Sequence, residues 1–186
     1  MYGHDVNPRT FLPPRAAPLG ATPELGDPAP PLPVELDHER PAVVAFLRHT
    51  GCPFAELTMQ RLRDTAAARP QIQWIAISHA PAAATTRWCH DIGGCRDVDV
   101  ASDPARTVYA RWGLGRTSLG HFLGRRSLTS VIDLARRGIR NRHPHGTRWQ
   151  MAGTFALDEH AVVRWRHLPA HAGDVPELEQ AMRAVT

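Results

Sequence analysis

The chain has 186 residues and a formal net charge of +4, and all 22 of its basic residues are arginine. That length suffices for one ordinary domain with a full core, and no run approaches the roughly 18 consecutive apolar residues of a membrane-spanning helix. Three cysteines are too few, and odd in number, for a disulfide scaffold; the arginines are scattered, paired only at Arg125-Arg126 and Arg136-Arg137, and read as a solvated mixed surface rather than a nucleic-acid face.

The opening stretch MYGHDVNPRTFLPPRAAPLG lacks the apolar core of a secretory leader, so a cytoplasmic protein is expected. Residues 1–33 carry nine of the 17 prolines. Proline at that density holds neither a helix nor a central strand. These residues are therefore expected to form an extended Pro-rich arm that wraps the domain or stays loose, with residues 34–186 as the globular part.

From Pro41 the chain alternates. AVVAFL (42–47) is a continuous apolar run of strand length, as in a buried parallel strand. Residues 53–68 follow as a helix with Pro53 in its first turn. IQWIAIS (72–78) predicts a second strand, and 80–94 a short helix entered at Pro81 and stopped by Gly93-Gly94. VDVAS (98–102) predicts a third strand. DPARTVYARWGLG (103–115) predicts a helix with Asp103 as N-cap, Pro104 at the first position and a glycine stop.

Residues 116–150 interrupt this rhythm. SLTSVIDLARRG (127–138) has a helical pattern, and IRNRHPHGTRWQ reads as a loop rich in Arg and His. GTFALDEHAVVRWRHL (153–168) then predicts an antiparallel hairpin around Asp158-Glu159-His160, and 174–185 a closing helix capped by Asp174. Three βα units, an insertion, then β-β-α is the thioredoxin arrangement, with a mostly parallel sheet covered on both faces.

Cys52 stands where the first strand hands over to the first helix. Helix N-termini present unpaired N–H groups and the positive end of the macrodipole. Such a position favours a thiolate, the nucleophilic form of cysteine. Arg48 and His49 are expected to add positive charge, and Thr50 a hydroxyl donor. The plainer alternative is a buried structural cysteine. Ala55 occupies the place of a second cysteine three residues on, so this helix cannot close a Cys-x-x-Cys disulfide. Cys89, on the second helix, and Cys95, before the third strand, could reach Cys52 only if a helix end unwinds, because a bridge needs Cα atoms within about 7 Å.

FLRHTGCPFAELTMQRL, YARWGLG, RWQMAGTFALDEHAVVRWRH and the closing helix together resemble the AhpC/TSA peroxiredoxin-like family, in a divergent branch with a Gly-Cys-Pro-Phe active-site step. The resemblance runs from about residue 34 to 184. It implies an α/β thioredoxin-like fold, a mixed sheet flanked by helices, with an insertion before the C-terminal β-hairpin. It also implies reduction of hydroperoxides through one peroxidatic cysteine, which becomes a sulfenic acid and is resolved by a thiol. That role maps to Cys52, with Thr50, Arg48 and Arg148 as its catalytic company and Cys89 or Cys95 as resolving thiols. His49, Pro53, Phe54, Trp149 and Gln150 are candidates to line the pocket. The substrate would be a hydroperoxide or a disulfide, the reductant a small thiol or a thioredoxin-type protein, with no cofactor, nucleic-acid or membrane partner; a homodimer is left open. The family's Pro-x-x-x-Thr-x-x-Cys pattern is altered: Ala45 holds the Pro position and His49 the Thr position. Ala152 stands where the family places an Arg before the Gly-x-Phe strand.

His143-Pro-His145 and Cys89-His90 with Cys95 contain metal-ligand residue types without zinc spacing, so no metal site is expected. A second functional class stays open: a non-catalytic thioredoxin-fold binding or redox-sensing protein that holds a partner with the Pro-rich arm and the 116–150 insertion.

Overall fold

A computed structural model describes residues 18–117, 139 and 145–186. Five strands form one mixed sheet in the order β3-β2-β1-β4-β5. They are β1 (Ala42–Phe46), β2 (Gln73–Ser78), β3 (Asp99–Ser102), β4 (Gly153–Leu157) and β5 (Val163–His167). β1, β2 and β3 pair in parallel, while β4 runs antiparallel to β1 and to β5. The helices are α1 (Pro53–Ala68), α2 (Ala82–Asp91), α3 (Thr107–Arg111) and α4 (Leu178–Arg183). The mixed sheet with flanking helices is the architecture expected from the alternation of elements.

β1 and β2 are buried along their whole length, so they carry apolar side chains on both faces. Period-two alternation sorts those side chains into two cores. Val43, Ala45, Leu47, Trp74 and Ala76 join Met59 and Leu62 of α1 and Trp88 of α2 on one face. Val44, Phe46, Ile75, Ile77 and Phe155 join Tyr109 and Trp112 on the other. The ring of Phe46 lies 5.1 Å from those of both Tyr109 and Trp112. Part of the second core is covered from the arm side by Ala29, Leu32, Val34 and Leu36.

The arm residues from 18 onward run along the sheet edge. Gly26 N–H donates to Val163 O and Ala29 N–H to Ala161 O, both at 2.8 Å. Gly20 N–H donates to Ala110 O at 2.8 Å. The Gly26 bond, with the Val163 N–H donating to Asp27 O at 2.9 Å, occupies backbone groups that the edge strand β5 would otherwise leave open.

Several boundaries differ from expectation for identifiable reasons. α1 spans 53–68 as predicted, with Pro53 in the first turn. β3 begins at Asp99, because Asp97 has φ 61°, incompatible with a strand. α3 begins at Thr107, because Arg106 is left-handed at φ 60°. Asp103 caps it from further back: its carboxylate accepts the N–H groups of Thr107, Val108 and Tyr109 at 2.8–3.2 Å. Asp174 is not the cap of α4. Its carboxylate accepts the Ala170 N–H at 2.8 Å, and the helix starts only at Leu178. The predicted 127–138 helix lies outside the described residues. The two ends of the insertion are held together: Thr117 N–H donates to Trp149 O and Met151 N–H to Gly115 O.

Candidate active site

The carboxyl ends of β1, β2 and β3 point to one end of the sheet, where α/β folds bind ligands. Leu47 to Cys52 leave β1 there and turn into α1. Gly51 makes the turn with φ 101°, a conformation that a side chain would strain. Cys52 is then the N-cap residue of α1: its carbonyl accepts the Glu56 N–H at 3.1 Å, and its own N–H donates to His49 O at 3.0 Å. The cysteine is 4% exposed and is the only one of the three outside a disulfide.

The polar residues before it are buried as well. Arg48 donates from Nη1 to the Ala172 carbonyl at 3.4 Å. His49 Nδ1 donates to the Thr50 carbonyl at 3.3 Å. Burial, then the positive charges of Arg48 and Arg148, push the His49 imidazole down to about 3. His49 is therefore neutral near pH 7, which corrects the expectation that it adds positive charge; the two arginines beside it carry that charge instead. Thr50 Oγ1 is buried with no hydrogen-bond partner among the described residues. A hydroxyl in that position can rotate to donate to an anion at low cost.

The return segment of the insertion closes over this end. Thr50 and His145 form an antiparallel bridge, and the following residues bring Arg148 within electrostatic reach of His49. Gly146 (φ 81°) lies against His79, whose ring would be 2.6 Å from a Cβ at that position. His79 Nε2 donates to Thr147 O at 3.0 Å, and burial pushes its imidazole down to about 4. Tyr109 places its hydroxyl 2.7 Å from both the Leu47 and Ile77 carbonyls, at the ends of β1 and β2. Glu56, a buried carboxylate in the first turn of α1, completes the layer. His79, Tyr109 and Glu56 were not among the sequence candidates. Their positions at strand ends and in a first helical turn were the available signal, but only the topology brings them to one end.

Pro53 and Phe54 sit in the first turn of α1. Phe54 and Ala55, with Arg48, Ala152, Thr154, His167 and Val175, line a cleft between α1, the hairpin and the segment before α4. Ala152 leaves this cleft without a cation at the position where the family resemblance places an arginine. Trp149 is half-buried, and its backbone N–H donates to Thr147 Oγ1 at 3.2 Å. Gln150 is not at this cleft: its amide donates to Leu114 O at 2.7 Å and Gly115 O at 3.1 Å, joining the ends of the insertion. Cys89 and Cys95 are joined to each other, with Cα atoms 5.6 Å apart. As resolving thiols they would first have to be reduced. Among the described residues no group of three or more His, Cys, Asp or Glu side chains could hold a metal; His143 lies outside them. Among the described residues, no helix is long and apolar enough to cross a membrane.

The sequence profile of the AhpC/TSA antioxidant enzyme family matches residues 58–171. No curated protein sequence matches the chain. Solved structures do. A peroxiredoxin-like protein from Aquifex aeolicus superposes with a TM-score of 0.63 at 15% identity, covering 89% of this chain and 88% of its own. A thiol peroxidase from Chromobacterium violaceum gives 0.58 at 16% identity, covering 90% and 89%. The peroxidoxin BcpB from Mycobacterium tuberculosis gives 0.50 at 18%, covering 77% of each chain. At these identities the likeness establishes the thioredoxin-like fold.

Proposed function

The chain belongs to the AhpC/TSA antioxidant enzyme family, and on that premise we propose that it reduces hydroperoxides through a single peroxidatic cysteine, Cys52. The observation that carries this reading is the place of Cys52: the one free cysteine, at the N-cap of α1 and at the carboxyl end of β1. The matched profile begins after Cys52, so this role rests on geometry.

The thiolate of Cys52 attacks the terminal peroxide oxygen. An S–O bond forms, the O–O bond breaks, and the departing oxygen takes a proton to leave as an alcohol or water. Helix N–H groups and the Thr50 hydroxyl stabilise the sulfur anion. Arg48 and Arg148 stabilise negative charge on the leaving oxygen. Neutral His49, within electrostatic reach of both, adds nothing to that charge. The resulting sulfenic acid condenses with an external thiol, releasing water, and a second thiol frees Cys52 as the donor disulfide departs. A small thiol or a thioredoxin-type protein fits that second role.

The test is peroxide consumption with a thiol donor by the wild type and by Cys52→Ser. Unchanged consumption in the variant would overturn the reading. The burial of Cys52 favours a second reading, a redox-sensing or binding protein of the same fold. In that case Cys52 would form a trappable sulfenic acid without multiple turnover.

A further inference from the structure

We propose that the Cys89–Cys95 disulfide is a second redox centre, separate from Cys52, that undergoes thiol–disulfide exchange with an external dithiol. Cys89 lies in the last turn of α2, and Cys95 lies beyond the Gly93-Gly94 stop. Both are half-buried, packed against the core cluster rather than sealed within it.

The pair is held together by bonds that do not depend on the disulfide. Gly94 N–H donates to Cys89 O at 2.8 Å, Gly93 N–H to His90 O at 3.1 Å and Val98 N–H to Cys95 O at 3.3 Å. Trp88, Ile92 and Val98 anchor the same loop in the core. From α1, Arg63 Nη1 lies 3.3 Å from the carbonyls of Ile92, Gly93 and Gly94 and donates to them. Its charge meets the negative end of the α2 dipole, where a thiolate would otherwise be disfavoured. With the bridge open, this framework keeps the two thiols within reach of each other, so the bridge can close again.

The same contact locates the pair relative to Cys52. Arg63 is eleven residues beyond Cys52, about 16 Å of helix rise. Cys52 is the only other cysteine of the chain, so the dithiol for exchange comes from outside it. A thiolate of the dithiol attacks one sulfur of the bridge, forming a mixed disulfide and releasing the other sulfur as a thiolate. The donor's second thiolate then displaces the remaining cysteine. The donor leaves as its own disulfide, having passed two electrons, and Cys89 and Cys95 take up two protons.

The experiment equilibrates the native full chain, wild type and Cys52→Ser, in graded ratios of reduced to oxidised dithiothreitol. Thiols at Cys89 and Cys95 are counted by alkylation and mass spectrometry, and helix content is followed by circular dichroism. The expected result is two thiols per chain that appear and disappear reversibly. The midpoint should be the same in both proteins within about threefold, with helix content retained. A bridge that opens only on unfolding, or whose opening unfolds the chain, is a structural staple and overturns the proposal. A midpoint moved further by Cys52→Ser shows coupling and overturns the separateness. Neither result depends on peroxide turnover, so failure of the Cys52 reading would be seen apart from failure of this one.

Discussion

The two cysteine regions of this molecule sit at opposite ends of helices and differ accordingly. Cys52 precedes α1, where unpaired N–H groups favour an anion, and it is buried and free. Cys89 ends α2, where the carbonyl end disfavours an anion, and it is half-buried and paired with Cys95. The sulfur is the same in both places; the direction of the backbone dipoles differs. The contrast teaches that a free cysteine and a closed bridge can share one hydrophobic cluster, each at its own helix end.

The largest way to test that contrast is by activity. Cys52→Ser is expected to lower peroxide consumption by at least about 100-fold, whereas the double variant Cys89→Ser/Cys95→Ser should keep it within about twofold. Steady-state rates with a thiol donor check both, and an equal loss in the double variant would erase the distinction.

Acid stability separates the regions next, because the buried histidines surround only the first. The imidazoles of His49 and His79 are held down to about 3 and about 4 in the fold, against an ordinary 6.5. Below pH 6.5 the unfolded chain binds protons that the folded chain refuses. Stability is therefore full above that pH and falls as the pH drops toward the folded values. Urea midpoints between pH 7 and pH 4 should show the decline, and His79→Gln should make it shallower.

Backbone strain gives a smaller effect. Gly51→Ala places a Cβ at φ 101° in the turn before Cys52 and should cost about 1–2 kcal/mol. Thermal melts measure that loss. The reduction of the Cys89–Cys95 bridge should not change with it; a change there would mean the two regions are mechanically linked.

Arg63→Ala is the mildest. It removes the donor shared by three loop carbonyls and should cost about 1 kcal/mol. Slower opening of the bridge by dithiothreitol, with peroxide consumption unaltered, would place its effect on the second region alone.

Much of this was legible in the residues themselves. Apolar runs at 42–47 and 72–78 could only be buried strands, and Pro53 with the following apolar spacing set α1. GTFALDEHAVVRWRHL carried its own turn, confirmed by the Asp158 carboxylate accepting the His160 and Val162 N–H groups. The step GCPF placed Cys52 at a strand–helix junction without any coordinates. Those are local matters, decided by backbone sterics and side-chain periodicity. What periodicity could not carry was anything set by long-range contact. Asp103 looked like an N-cap by position, but a left-handed Arg106 moved the helix away and left the carboxylate to reach forward. Gln150 looked like a pocket residue by sequence neighbourhood, until folding turned its amide onto Leu114 and Gly115. His49 titrates near 6.5 in water and is held down to about 3 only because burial, then the charges of Arg48 and Arg148, disfavour its proton. The cysteine pairing is different: residue type and helix position marked all three as candidates, and the two partners stand only six residues apart. Only the folded turn after α2, which brings the Cα atoms of Cys89 and Cys95 to 5.6 Å, joined two of them and left the third free, because a disulfide forms between Cα atoms that the fold has already brought close.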